Sequence, residues 1–155
     1  MGRPGVSLWW RRRGCAFYGR SIIGTMQGLH LTADLRGCSP TQAALTEPAR
    51  LRELCLRAVR KAGLQPVDEL FHHFAPAPGA AAHAPTGITG VVLLAESHLA
   101  VHTWPELGAV TIDVYVCNFK ADNSGQAQVA LDHLVNAFDA REVARHALTR
   151  GVVRG

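Results

Sequence analysis

Gly87-Ile-Thr-Gly-Val-Val-Leu-Leu-Ala95, His98-Leu-Ala-Val-His-Thr-Trp104 and Ala109-Val-Thr-Ile-Asp-Val-Tyr-Val-Cys117 follow one another with two and then four residues between them. All three runs are rich in Val, Ile and Leu, and breaks this short hold turns but not crossover helices. They predict three neighbouring antiparallel strands. Upstream, Gly28-Leu-His-Leu-Thr-Ala-Asp-Leu35 alternates, with Leu29, Leu31, Ala33 and Leu35 on one face, the period of a half-buried strand. Gln65–Phe74 reads as a further strand and Arg141–Thr149 as a last one.

Two helices complete the pattern. The first is expected to be capped by Thr46, with Pro48 in its first turn, where a missing N–H costs little. Leu51, Leu54, Cys55, Ala58 and Ala62 form its apolar stripe, and Gly63 stops it. Cys55 lies in that stripe and reads as core filler. Asp122, Asn123 and Ser124 offer cap oxygens to the second helix. Its stripe is Ala127, Ala130, Leu131, Leu134, Val135 and Phe138. The order β-α-β-β-β-β-α-β predicts an α/β (α+β) two-layer sandwich: a mixed, mainly antiparallel sheet with two helices on one face. Residues 75–86 are small residues and prolines, which predicts a surface loop.

The chain has 155 residues, 48% hydrophobic and 18% charged, which suits one compact domain. No apolar run is long enough to span a membrane. Its net charge of +4 is local. Arg3, Arg11, Arg12, Arg13 and Arg20 lie in the first 25 residues with no acid among them, and the remainder holds 11 basic against 12 acidic residues. Residues 1–25 therefore read as a basic tail or an over-called start, with 26–155 as the single domain. Nucleic acid and membrane are not expected partners. Cysteines 15, 38, 55 and 117 form no CxxC pair, which points to a reducing, cytoplasmic compartment.

Polar residues concentrate in Leu94-Ala-Glu-Ser-His-Leu-Ala-Val-His-Thr-Trp-Pro-Glu106, with Asp113 and Cys117 in the strand that follows. His98 and His102 share a strand face, yet no third ligand has suitable spacing, so no metal site is expected. There is no Gly-x-Ser-x-Gly elbow for a hydrolase serine. The residues alone indicate a functional polar cluster in a sheet, its chemistry open.

Glu-Ser-His-Leu-Ala-Val-His-Thr-Trp-Pro-Glu (96–106), followed by Ile-Asp-Val-Tyr-Val-Cys (112–117), resembles the prokaryotic S-adenosylmethionine decarboxylases, small pyruvoyl-dependent enzymes of polyamine synthesis. The likeness runs from about Gly28 to Thr149. It implies a proenzyme cut between Glu96 and Ser97 into chains 1–96 and 97–155, with Ser97 becoming a covalent pyruvoyl group that forms a Schiff base with substrate. By the same resemblance His102 is the processing base and Cys117 the proton donor, and an ordinary thiol is still largely protonated at neutral pH. Strict alternation sets Ser97 and His102 on opposite faces, so a bend or bulge is expected near 96–98.

For substrate binding, the resemblance points to Phe74 stacking on adenine, Glu106 on ribose hydroxyls, and Thr89 assisting processing. The family's Phe-His-Arg-Phe reads Phe71-His72-His73-Phe74 here, and its Gly-Val-Ser-Gly reads Gly87-Ile88-Thr89-Gly90. Asp34 stands where a family member carries Glu. A homodimer of cleaved protomers with the site near the interface is implied. The alternatives are an ornithine or arginine decarboxylase on the same scaffold, or an uncleaved binding homologue.

Overall fold

The computed structural model describes residues 27–76, 78, 79, 81, 84 and 86–151; the reading of 1–25 as a tail or over-called start lies outside the described residues. Strands β1 (Gly28–Arg36), β2 (Pro66–His73), β3 (Ile88–Leu94), β4 (Ser97–Trp104), β5 (Ala109–Cys117) and β6 (Glu142–Arg150) form one sheet in the order β2-β3-β4-β5-β1-β6. Helices α1 (Ala43–Thr46), α2 (Pro48–Lys61) and α3 (Ser124–Phe138) pack on one face.

Period-2 patterning decides which side chains face those helices. Leu31, Ala33, Leu35, Ile88, Val92, Leu99, Val101, Val110, Ile112, Val114 and Val116 are buried against the stripes of α2 and α3. Cys55 is within that core, and burial pushes its thiol up to about 12, so it is inert packing. Both stripes read from the sequence are buried, and Gly63 ends α2 at φ +75, its N–H donated to the Arg60 carbonyl.

Three expectations need correction. Among the described residues every ladder is antiparallel, so the sheet they form is not mixed. β5 and β6 do run parallel across the α3 crossover, but β1 is inserted between them and pairs antiparallel with both. Thr46 does not cap α2; it ends the additional short helix α1. The break falls at Glu47 (φ −109, ψ 108), because proline at 48 drives the residue before it into extended geometry. Finally, Asn123 occupies the N-cap position of α3 without a side-chain cap bond; Asp122 Oδ1 accepts the Ser124 N–H at 2.9 Å.

One buried hydroxyl ties the layers together. Thr103, 3% exposed, accepts the Ile88 N–H at 2.9 Å and donates to the Leu45 carbonyl of α1 at 2.8 Å. Gly87 runs so close that a Cβ there would lie 2.0 Å from the Thr103 carbonyl oxygen, which is why no side chain fits. Among the described residues, no helix lies over the opposite sheet face. Half-buried His30, Thr89, His98, His102, Asp113 and Tyr115 lie on it, with Leu70, Leu93 and Leu148 exposed.

Candidate active site

β3 and β4 are joined by Ala95 and Glu96 alone, with Leu94 paired to Ser97 across the turn. Neither turn residue is Gly or Asn, yet Glu96 adopts φ +62. A left-handed non-glycine residue costs about 1–2 kcal/mol, so the peptide entering Ser97 is held by the hairpin away from its relaxed geometry. The β4–β5 register pairs His98 with Tyr115, so two residues on Cys117 faces Glu96, which has already left the ladder. The Cys117 N–H is instead donated to Ser97 Oγ at 3.1 Å. A cleft of about 300 Å³ opens there, lined by Glu96, Ser97, Cys117, Lys120, Asn123 and Gln126. Among the described residues, Gln126 Oε1 finds no hydrogen-bond partner.

A second cleft, about 470 Å³, lies at the other end of β4 and is lined by Phe74, Pro76, Ile88, His102, Trp104 and Glu106. The Thr89 hydroxyl and His102 Nδ1 are 2.7 Å apart, directly across the β3–β4 ladder. The His102 and Trp104 rings lie 6.0 Å apart. His73 Nε2 sits 2.9 Å from the Thr86 hydroxyl, and the Phe74 N–H is donated to the Gly87 carbonyl, so Phe74 is held at the mouth of this cleft. Asp34 lies apart from it, in a separate cleft on the far side of Trp104.

The sequence-predicted residues thus fall into two groups. Glu96, Ser97 and Cys117 come together at one end of β4; Thr89, His102, Phe74 and Glu106 come together at the other. The expected bend is present as the hairpin turn just before Ser97, but there is no bulge, and the ladder runs unbroken from Leu94–Ser97 to Thr89–His102. Within one chain Ser97 therefore points to the helix side and His102 to the open side, five residues or roughly 16 Å apart along the strand.

The family model for S-adenosylmethionine decarboxylase matches residues 29–151. The chain belongs to the S-adenosylmethionine decarboxylase family. Among its relatives in that family is the S-adenosylmethionine decarboxylase proenzyme of Pyrococcus furiosus, 34% identical over 125 residues, which are 81% of this chain and 79% of the relative. The proenzyme of Aquifex aeolicus is 36% identical over 126 residues, covering 81% and 82%. The crystal structure of adenosylmethionine decarboxylase from Aquifex aeolicus superposes with a TM-score of 0.68 at 32% identity, over 84% of this chain and 95% of that one. The sandwich fold is accordingly that of the S-adenosylmethionine decarboxylases.

Two features of the site went unread in the sequence. Asn118 and Asn123 bond around Cys117, with the Asn123 Nδ2 donating to the Cys117 carbonyl at 2.8 Å. Trp104 walls the second cleft. An Asn next to a helix start looks like a cap in any sequence, and a strand Trp looks like packing. On the open face His30 Nε2 lies 3.2 Å from Asp113 Oδ1, beside His98 and Tyr115. Burial first, then the charges of His30 and Arg150, lower the His98 imidazole from its ordinary value against the opposing effect of Asp113. Among the described residues, no helix is long and apolar enough to cross a membrane.

Proposed function

We propose that this chain is a self-processing S-adenosylmethionine decarboxylase that cuts its own backbone between Glu96 and Ser97, carries a pyruvoyl group made from Ser97, and supplies decarboxylated S-adenosylmethionine for spermidine synthesis. One observation carries the reading: the Ser97 hydroxyl follows a peptide constrained by Glu96 at φ +62 and is held by the Cys117 N–H at 3.1 Å. Oγ attacks the Glu96 carbonyl carbon, a C–O bond forms, the C–N bond breaks, and the freed amine takes a proton. Removal of the Ser97 α-proton then expels the Glu96 carboxylate and leaves dehydroalanine. Water adds, ammonia departs, and the new N-terminus is a pyruvoyl group.

The residues around Ser97 suit that group, since a thiol stands beside it in the cleft and the turn leaves room for Glu96 to withdraw. Held at position 97 beside Cys117, such a group would supply the electron sink that decarboxylation of an α-amino acid needs. Cys117 holds the proton that the decarboxylated carbon then needs. Phe74 offers its ring to adenine, Glu106 accepts the ribose hydroxyls, and Trp104 and Ile88 exclude water. A thiol in this role requires a reducing compartment, and the cytoplasm is the one we assign.

The two halves of the site are joined by a second copy. Stacking two open faces about a twofold axis covers Leu93, Leu70 and Leu148 and brings the His102 end of one β4 to the Glu96–Ser97 turn of the other chain, where the scissile peptide has left the ladder and is reached around the strand end. With Nδ1–H given to the Thr89 hydroxyl, His102 keeps Nε2 as a free base for the partner chain's cleavage.

Because Ser97 is held by the backbone N–H of residue 117 and not by the thiol, Cys117→Ala retains self-cleavage. Carbon dioxide release from S-adenosylmethionine falls by ~100-fold or more. The assay is run beside ornithine and arginine. Wild-type protein inactive on S-adenosylmethionine contradicts the substrate assignment, and normal turnover by Cys117→Ala contradicts the donor role.

A further inference from the structure

We infer that Asn123 is a positioning residue for the cleavage centre, acting through the backbone of Cys117; the inference rests on the roles proposed for Ser97 and Cys117. Cys117 is the last residue of β5, and its carbonyl is held by a side chain, the Asn123 Nδ2, at 2.8 Å. The Asn123 N–H is donated to Asn118 Oδ1 at 2.9 Å, Asn118 Nδ2 donates to Ser124 Oγ at 3.0 Å, and the Asn118 N–H is donated to the Gln27 carbonyl at 2.8 Å. The loop from 118 to 124 is thereby closed on itself and tied to the start of β1. Cys117 is gripped on both sides, its N–H by Ser97 Oγ and its carbonyl by Asn123, which fixes where the thiol stands relative to the scissile bond.

The arrangement has a cost that marks it as more than a loop closure. Asparagine is among the best N-cap residues, worth about 1 kcal/mol when its side chain bonds the helix start. Asn123 occupies that position and makes no such bond, its amide being turned back to Cys117. Helix stability and the grip on Cys117 are therefore set against each other at one residue, which separates a structural role from a positioning role by sign.

The test uses Asn123→Asp and Asn123→Ala in the full chain, following cleavage by denaturing electrophoresis, thermal melting, and kcat and KM of the cleaved fraction. Aspartate removes the donor to the Cys117 carbonyl but is free to cap α3. The expected result is a melting temperature equal to or above wild type, self-cleavage slowed by ~10-fold or more, and a fall in kcat with KM within about twofold. Asn123→Ala shows the same slowing with some loss of stability. Gln128→Ala, exposed on α3 and outside the cleft, cleaves at the wild-type rate and serves as the folded control. The inference is overturned if Asn123→Asp cleaves at the wild-type rate, or if cleavage and melting temperature fall together in both Asn123 variants. A wild-type chain that never cleaves instead removes the proposed function on which the inference stands.

Discussion

Co-expressing Ser97→Ala with His102→Ala yields cleaved His102→Ala chains, although neither variant cleaves when made alone. The expectation follows from the distance between the two groups in one chain, roughly 16 Å on opposite faces of β4. In a mixed dimer, one of the two composite sites pairs the intact Ser97 of the His102→Ala chain with the intact His102 of its partner. That site is whole; the other lacks both groups. Denaturing electrophoresis with a tag on each chain reads the result, and the effect is close to all or none. Absence of any cleavage in the mixture, with mixed dimers demonstrated by pull-down, contradicts the composite site and requires His102 to act within its own chain.

Thr103→Val melts well below wild type. The substitution keeps the shape of the side chain and removes the hydroxyl that partners two buried backbone groups, the Ile88 N–H and the Leu45 carbonyl. Each unsatisfied group costs about 1–3 kcal/mol, so roughly 2–6 kcal/mol is lost, a large share of the 5–15 kcal/mol typical of a domain. Thermal denaturation is expected to shift down by roughly 10–20 °C. Thr103→Ser keeps the hydroxyl and shifts much less. A valine variant melting within about 2 °C of wild type shows that another group or water takes over those bonds.

Much of this architecture is written in short-range pattern. β5 is bounded in the sequence as it is in the structure, because Gly108 and the turn after Cys117 bracket an unbroken alternation of buried and half-buried residues. The stripes of α2 and α3 are equally plain, since 3.6-residue periodicity needs no knowledge of distant partners. What the sequence hides is decided at longer range. The absence of parallel pairs depends on β1 entering between β5 and β6, a choice made by sheet-wide burial. Thr46 looked like a cap until a second, four-residue helix claimed it, and Asn123 looked like a cap because its use on a carbonyl six residues upstream leaves no trace in composition.

The candidate site was legible in a different way. Ser97, His102 and Cys117 are named by a motif, and the motif says nothing about which chain each one serves. Period 2 places Ser97 and His102 on opposite faces, and of the bend or bulge expected near 96–98 only the bend is present, as the hairpin turn before Ser97. The unbroken β3–β4 register leaves the two groups apart and directs attention to the uncovered sheet face. The basic N-terminal segment carries five of the chain's 16 Lys and Arg residues, so the overall charge of +4 says little about the domain that holds the site.

The most direct measurement is an intact-mass spectrum of the freshly purified 16.7 kDa chain. Self-cleavage predicts two fragments ending at Glu96 and beginning at position 97, the second lighter by one ammonia than a fragment that starts with serine. A single uncut mass, in protein shown to be dimeric and folded, contradicts the account at its centre.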